Sequence, residues 1–300
     1  MDKVGIVTVT YNSEKVIAPF IRCVLNQEYS NFILYIIDNA SMDNSVSIIS
    51  EENDKRIKII INDKNEGVAK ANNQGIKKAI LDECSQILLV NNDVEFDKNL
   101  LKKLIYIQAE KGYSLVTPKM MYFDLPDNIW YAGSWFLRSK GYIPLHRGIE
   151  ENDNGQYDRP CEVEYAPTCC LLINKKVFHD IGLMDEKFFV YFDDTDFLYR
   201  VFQDKRHKLY YYPKSKIFHK VGSLTRSFVE GKKYRGHFFL RYNIRNHVYF
   251  LKKIGGLFAY LFIVWLFLRN NIRFLFSSRI KKDFSTLLLI NKSYFEGIRL

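Results

Sequence analysis

The chain has 300 residues, enough for one large domain or two smaller ones, and its 47% apolar content supports a full core and excludes a disordered protein. Its five cysteines (Cys23, Cys84, Cys161, Cys169, Cys170) are odd in number, irregularly spaced and form no CxxC, which argues against a disulfide framework or zinc site and for thiols in a reducing compartment. The net charge of +10 conceals a division: residues 1–200 carry 23 basic and 30 acidic side chains, residues 201–300 carry 21 and 4, so a negatively charged partner is expected at the C-terminal end.

The first 120 residues alternate between strand and helix patterns. Residues 4–10 read as a strand and 13–26 as a helix capped by Ser13. A strand over 32–37 ends at Asp38, followed by a short helix at 44–52, a strand at 57–61 and a helix at 68–81. The buried-type run 87–90 leads straight into Asn91-Asn92-Asp93; a helix at 98–110 and a strand at 113–117 follow. Such alternation implies βαβ units and a mainly parallel sheet. From 121 to 160 the regularity fades into loops and a hairpin, and the polar stretch 151–160 reads as a mobile loop. A strand at 169–173, a helix at 175–181, an aromatic strand at 188–192, a helix at 194–202 and a strand at 208–212 complete the pattern. The N-terminus enters the first strand with no leader pattern, so a cytoplasmic location is expected.

Residues 254–268 carry no charge, with Lys252 and Lys253 before them and Arg269 and Arg273 after. Fifteen residues fall short of the roughly 20 that span a bilayer. With the basic flanks, the segment suits a helix lying in an anionic membrane interface, and 252–282 is the expected contact. A buried core helix or a homodimer contact is the alternative. Nucleic acid is not expected, because an apolar aromatic segment is not a phosphate-tracking groove.

The candidate chemistry sits at strand ends, where open α/β sheets bind ligands. Asp38 can accept from the imide N–H of a base, and Tyr11 can cover its face. Asn65-Glu66-Gly67 precedes a helix N-terminus, where backbone N–H groups favour anions. Asp93, followed by a distant His219, suits a divalent cation completed by substrate phosphates. Asp193, Asp194 and Asp196 crowd three carboxylates into four residues; Arg200 can pair with Asp196 on a helix, leaving a carboxylate for general base work. Each also fits a blander role, since aspartates at helix starts are common caps and an isolated histidine is often structural.

Together, Val7-Thr8-Val9-Thr10-Tyr11-Asn12, Asp38-Asn39-Ala40-Ser41, Asn65-Glu66-Gly67 with Asn73-Gln74-Gly75, Asn91-Asn92-Asp93, Gly182-Leu183-Met184-Asp185 and Asp193-Asp194 with Arg200 resemble a family 2 glycosyltransferase of the rhamnosyltransferase-like branch. The resemblance implies the GT-A fold, a Rossmann-like mainly parallel sheet flanked by helices, here with a C-terminal helical, membrane-associating extension. It implies a catalytic domain over 1–225, with 1–120 binding the nucleotide-sugar and 121–225 the acceptor, and a basic apolar region over 226–300. By that resemblance Tyr11, Asp38, Asn65, Asn92 and Asp93 bind the nucleotide-diphospho-sugar, Asp93 and His219 hold Mn²⁺ or Mg²⁺, and Asp194 is the base. The implied reaction inverts the transferred sugar, with dTDP-rhamnose as the first choice of donor and UDP-hexoses left open. The acceptor is a lipid-linked or surface-polysaccharide glycan at the inner face of the cell membrane; a non-catalytic subunit of a membrane assembly is the other reading. Asn91 stands where the family's first metal-motif aspartate would be, Asp193 where a glutamate would be, and Asn72 where an arginine is frequent; Lys70 is the candidate replacement for that arginine.

Overall fold

The computed structural model describes residues 2–220 and 236–300, so the expected boundary at 225/226 lies outside the described residues. The elements run β1 (Val4–Thr10), α1 (Ile17–Leu25), β2 (Phe32–Asp38), α2 (Ser45–Glu51), β3 (Ile57–Ile61), α3 (Val68–Leu81), β4 (Gln86–Val90), β5 (Val94–Phe96), α4 (Leu100–Lys111), β6 (Leu115–Tyr122), β7 (Ile129–Tyr131), β8 (Ser134–Leu137), β9 (Ile143–His146), β10 (Cys161–Val163), β11 (Cys170–Asn174), α5 (Lys175–Ile181), α6 (Asp193–Asp204), β12 (Leu209–His219), α7 (His237–Ile254), α8 (Gly256–Phe276) and α9 (Phe284–Arg299). They divide into two compact units.

The first unit is built on one sheet in the order β10-β12-β6-β11-β4-β1-β2-β3, with β5 added to β12 and β7 to β6. β1, β2, β3 and β4 are parallel. β11 runs antiparallel between β4 and β6, and β12 is parallel to β6. Six strands therefore point their carboxyl ends at one edge, which gathers Tyr11, Asp38, Asn91–Asp93 and His219 there. The parallel strands are apolar nearly throughout because helices cover the sheet. α3 packs very close: a Cβ on Gly75 would overlap Val7, and one on Gly5 would overlap Ala79. α4 buries Leu100, Leu101, Leu104 and Ile107.

The second unit consists of α7, α8 and α9 with residues 137–143 and 190–193. Val248, Leu251, Ala259, Phe262, Ile263, Leu266 and Tyr294 form its main core. Gly255, at φ +71°, separates α7 from α8, whose first residue, Gly256, sits at φ +81°. α8 extends well past the uncharged stretch, through Arg269 and Arg273, to 21 residues. Asn246, fully buried, donates to the carbonyls of Val190 and Tyr191 at 2.8 Å each, and His247 stacks on Phe192 at 5.2 Å.

Several expectations need correction. The aromatic stretch 188–192 is not a strand: a 3₁₀ turn over Glu186–Phe188 is followed by left-handed Phe189, Tyr191 and Phe192 (φ +62°, +62° and +67°), which cannot join a ladder. Ser13 does not cap α1 through its side chain; its carbonyl accepts from Val16 and Ile17, and its backbone N–H donates to Ser45 Oγ at 2.7 Å. The stretch 151–160 is anchored rather than loose. Lys119, fully buried in β6, donates to Asp153 at 2.8 Å and to Asp158 at 2.5 Å, and Lys216 donates to Asp153 at 2.8 Å. All five cysteines are free thiols.

Burial pushes the Asp153 carboxyl up, but the hydrogen bonds from Lys119 and Lys216 outweigh it and hold it at about 2. The depressed value means that the stabilisation is complete above about pH 4, the ordinary aspartate range, and is lost as pH falls towards 2. Asp153→Ala leaves the buried Lys119 with only the exposed Asp158, so it should cost roughly 3 kcal/mol in urea unfolding at pH 7, and the difference from wild type should shrink as pH is lowered through that window.

Candidate functional site

The carboxyl ends of β1 and β2 are tied together by their loops. Asn12 takes a left-handed turn at φ +49°, its N–H donates to Ser41 Oγ at 2.9 Å, and its side-chain oxygen accepts from the N–H of Met42 at 2.8 Å. Asp38 is fully buried at the end of β2; Ser41 donates to one carboxylate oxygen through its N–H (2.9 Å) and to the other through its hydroxyl (2.5 Å). A carboxylate has about four acceptor positions, so it retains capacity towards a ligand. Tyr11 beside it is 42% exposed, free to lie over a planar group. Asn92 is buried and donates to Thr10 Oγ1 at 2.5 Å, joining the end of β4 to that of β1.

Asn65 accepts from the N–H of Gly67 at 3.0 Å, shaping the turn into α3. Gly67 sits at φ +83°, and the first amide of α3, that of Val68, donates to the Phe189 carbonyl at 2.5 Å. Asn73 holds the same neighbourhood from the next turns of α3. It donates to the Met184 carbonyl at 2.9 Å and to Glu186 at 3.0 Å, and accepts from the Met184 N–H at 3.0 Å. The Asn73-Gln74-Gly75 motif is thus scaffolding in this chain. Lys70 forms an ion pair with Glu66 at 2.8 Å, and Asn72 is buried.

Asp93 and His219, 126 positions apart, meet at the same edge. β5 begins directly after Asp93 and pairs antiparallel with the end of β12, placing Val94 opposite His219, and the Lys220 N–H donates to the Asp93 carbonyl at 2.9 Å. His219 Nε2 lies 3.3 Å from Asp93 Oδ1, with the imidazole nearly buried. Its Nδ1 has no hydrogen-bond partner among the described residues. One carboxylate and one imidazole fit a divalent cation that takes its remaining ligands from a diphosphate. No cluster of three or more His, Cys, Asp or Glu side chains able to hold a metal occurs among the described residues, so the ion would depend on substrate oxygens.

Asp194 stands in the first turn of α6. Tyr165 donates to its Oδ2 at 2.7 Å; the Thr195 N–H and hydroxyl donate to Oδ1 at 2.7 and 3.2 Å. Burial pushes this carboxyl up, against the bonds from Tyr165 and Thr195 that pull it down. Asp196 is held by Arg200 at 2.9 Å, as the helical spacing predicts.

Two contributors, Tyr165 and His146, escaped the reading of the sequence. His146, on β9, stacks on Tyr165 at 6.1 Å and meets the edge of Trp130 at 4.9 Å. Trp130 in turn stands edge-on to His219 at 4.4 Å. Burial holds His146 neutral, pushed down to about 4. A continuous layer of rings therefore runs from the Asp93–His219 pair to Tyr165 and Asp194. His146 lies in the stretch that looked irregular and Tyr165 just beyond it, and no local pattern marks either. Trp135 stands elsewhere: it lines a cleft of about 460 Å³ with Phe202 and Leu209, at the start of β12.

Comparison with known proteins decides the family. Residues 5–182 match the pattern of glycosyl transferase family 2. The chain belongs to that family. It is 28% identical over 205 residues to the low-salt glycan biosynthesis hexosyltransferase Agl10 of Haloferax volcanii, an alignment covering 67% of this chain and 62% of that one. Among solved structures, GalNAc-T7 with UDP, GalNAc and Mn²⁺ superposes with a TM-score of 0.61 at 14% identity, over 83% of this chain and 50% of that one. The mannosyltransferase PcManGT of Pyrobaculum calidifontis, in complex with GDP-Man and Mn²⁺, gives 0.57 at 13% identity, over 97% and 74%. The fold is GT-A, with a C-terminal helical region.

The turn at Gly67 offers a structural test. A Cβ there would lie 2.5 Å from the Phe189 ring and 2.6 Å from its carbonyl oxygen, at a backbone angle that L-residues avoid. Gly67→Ala should destabilise the protein by about 1–3 kcal/mol in chemical unfolding, whereas Gly112→Ala, equally left-handed (φ +69°) but with open space around it, should cost less.

Proposed function

We propose that the protein is an inverting glycosyltransferase that moves a sugar from a nucleotide-diphospho-sugar to a hydroxyl of a lipid-linked or surface-polysaccharide glycan. The observation that carries this reading is the gathering of the Asp93–His219 pair and a partly shielded carboxylate, Asp194, at one sheet edge, linked by a layer of rings. Asp38 and Asn65 contact the base, Tyr11 covers it, and Asn92 lines the donor pocket. Asp93 and His219 hold Mn²⁺ or Mg²⁺, which when bound supplies charge neutralisation on the diphosphate. Asp194 takes the acceptor proton as the hydroxyl oxygen bonds to the anomeric carbon and the bond to the diphosphate breaks. This single displacement inverts the carbon and needs no protein nucleophile. Residues 1–120 serve as the donor half and 121–225 as the acceptor half of the catalytic domain. dTDP-rhamnose is the first choice of donor, by resemblance to the rhamnosyltransferase-like branch, and UDP-hexoses are the second.

Asp194→Asn should lower transfer by at least about a hundredfold, the usual contribution of a general base, while nucleotide-sugar binding survives. Asp93→Ala should remove the Mn²⁺ dependence of nucleotide binding and lower transfer with it. Calorimetric titration with and without Mn²⁺, alongside a transfer assay across nucleotide-sugars, reads both. Wild-type turnover by Asp194→Asn removes it from the chemistry; donor binding without any transfer by the wild type would favour a non-catalytic subunit.

The second unit supports placement at the inner face of a membrane. Leu257, Leu261, Val264, Leu268, Ile272 and Leu275 follow helical spacing along α8, and each is more than half exposed. The opposite face, Ala259, Phe262, Ile263 and Leu266, is buried in the unit's own core. At about 31 Å the helix is long enough to cross a bilayer, but protein already occupies half its girth. Residues 236–300 hold eleven Lys or Arg against two acidic residues, which complements anionic headgroups. The helix therefore lies in the interface, with 252–282 as the contact. Leu261→Glu/Leu268→Glu, which removes about 2 kcal/mol of apolar transfer per site, should weaken sedimentation with anionic vesicles more than tenfold. Undiminished vesicle binding by this variant, or a wild type that dimerises and ignores vesicles, overturns the placement.

A further inference from the structure

We propose that Tyr165 is a positioning residue for Asp194, holding the carboxylate through its phenolic hydroxyl in the orientation from which it accepts the acceptor proton. The inference rests on the reading of Asp194 as the base and goes beyond it to the group that sets its behaviour.

The geometry of Tyr165 is that of a fixed donor. The side chain is 6% exposed, and its hydroxyl donates to Asp194 Oδ2 at 2.7 Å. Its backbone is fixed on both sides: its N–H donates to the Ser134 carbonyl at 3.2 Å, and its carbonyl accepts from the Tyr131 hydroxyl at 2.6 Å. Its ring is stacked by His146 on one side (6.1 Å, 27°) and met edge-on by Phe136 on another (6.1 Å, 71°). A tyrosine confined in this way has little rotamer freedom left, so its hydroxyl points where the fold aims it. The two carboxylate oxygens of Asp194 are consequently unequal. Oδ1 is engaged by Thr195 of the same helix turn, which follows the helix wherever it goes. The bond from Tyr165 to Oδ2 comes from 29 residues away and fixes the rotation of the carboxylate against the sheet.

Charged and titratable groups among the described residues lie along the elements that hold Asp194. On α6 they are Asp193 and Asp196, and the Arg200 guanidinium neutralises Asp196. From the segment before β11 there is Tyr165 itself and Glu164, whose carboxylate accepts from the Phe136 N–H. From β9 there is His146, behind the Tyr165 ring and neutral over the working range. No cation faces Asp194 from these groups other than the one already committed to Asp196. The donors Tyr165 and Thr195, with the Thr168 backbone, therefore stabilise its ionised form against burial, and a carboxylate that loses one such donor titrates higher.

The test is the pH dependence of transfer by the full-length protein. Tyr165→Phe should move the acidic limb of kcat/KM up by about one pH unit, with activity recovering towards wild type at higher pH and the nucleotide-sugar KM unchanged. A ring-fluorinated tyrosine placed at 165 keeps the shape and hydroxyl but donates more strongly. It should move the limb the other way, and it keeps the test available if the phenylalanine variant fails to fold. A uniform loss at every pH with no movement of the limb in either variant overturns the proposal and leaves Tyr165 a packing residue. Asp194→Asn, run alongside, separates the two levels: if it retains wild-type turnover, the reading of Asp194 fails; if it is inactive while the limb stays in place in the Tyr165 variants, only the inference about Tyr165 fails.

Discussion

β12 carries the geometry of the site. It pairs with β6 along its length, with β10 at its start and with β5 at its end. Pro213 lies within it and has no N–H to give the ladder, and the register to β6 shifts between Tyr212 and Lys216 where β6 passes Pro118. Beyond the shift the pairing resumes, and the last four residues bring His219 opposite Tyr122 on one side and Val94 on the other. Since β5 starts at the residue after Asp93, the strand pairing itself sets the distance between Asp93 and His219. A substitution that disturbed the bulge would alter the register and send His219 to the other face of the sheet.

This explains why half of the site was legible and half was not. The strands at 4–10, 32–38 and 57–61 and the helix at 68–81 announce themselves by apolar runs bounded by turn residues, and the structure forms them with nearly those limits. Asp38, Asn65 and Asp93 were visible because they end strands or begin helices. From the residues alone His219 was visible only as an isolated histidine, because the strand read at 208–212 stops short of it; its pairing with β5 depends on a three-residue strand that no local pattern reveals. Tyr165 and His146 were invisible for the same reason. Their neighbours are set by long-range packing across a stretch of short strands. The misreading of 188–192 has a different cause: an aromatic run suits a strand by composition, but left-handed φ angles at three of its residues are imposed by what surrounds them.

Several motif residues turn out to serve the frame that holds the chemistry. Asn39, Asn62 and Gln74 bond to one another behind the end of β2, with Asn62 donating to Asn39 and Gln74 and accepting from Gln74. Asn39 also donates to the Gly67 carbonyl at 3.2 Å, so the turn carrying Asn65 is tied to the strand carrying Asp38. Amides that satisfy one another in this way, with Asn39 buried and Asn62 and Gln74 partly so, are costly to lose one at a time, which favours a single arrangement of the loops. Lys70, engaged by Glu66, would have to exchange one partner for another before it could meet a diphosphate. The ion pair is half exposed on its lysine side, where such exchanges cost little.

The acidic cluster at the start of α6 shows how one carboxylate is kept usable among three. A helix N-terminus favours negative charge through its unpaired N–H groups, so the first turn of α6 is the place in that helix where Asp193, Asp194 and Asp196 can coexist. Each then acquires a different fate from its surroundings. Asp196 is 2% exposed and bound to Arg200, which is itself anchored to the Ile181 and Leu183 carbonyls at 2.7 Å, so it braces the helix against the preceding loop. Among the described residues, Asp194 is held by neutral donors: Tyr165, Thr195 and the Thr168 backbone. Neutral donors orient a carboxylate without cancelling its charge as a guanidinium would. Burial raises the proton affinity of Asp194 in spite of these donors, which suits the proposed role of taking a proton from a hydroxyl.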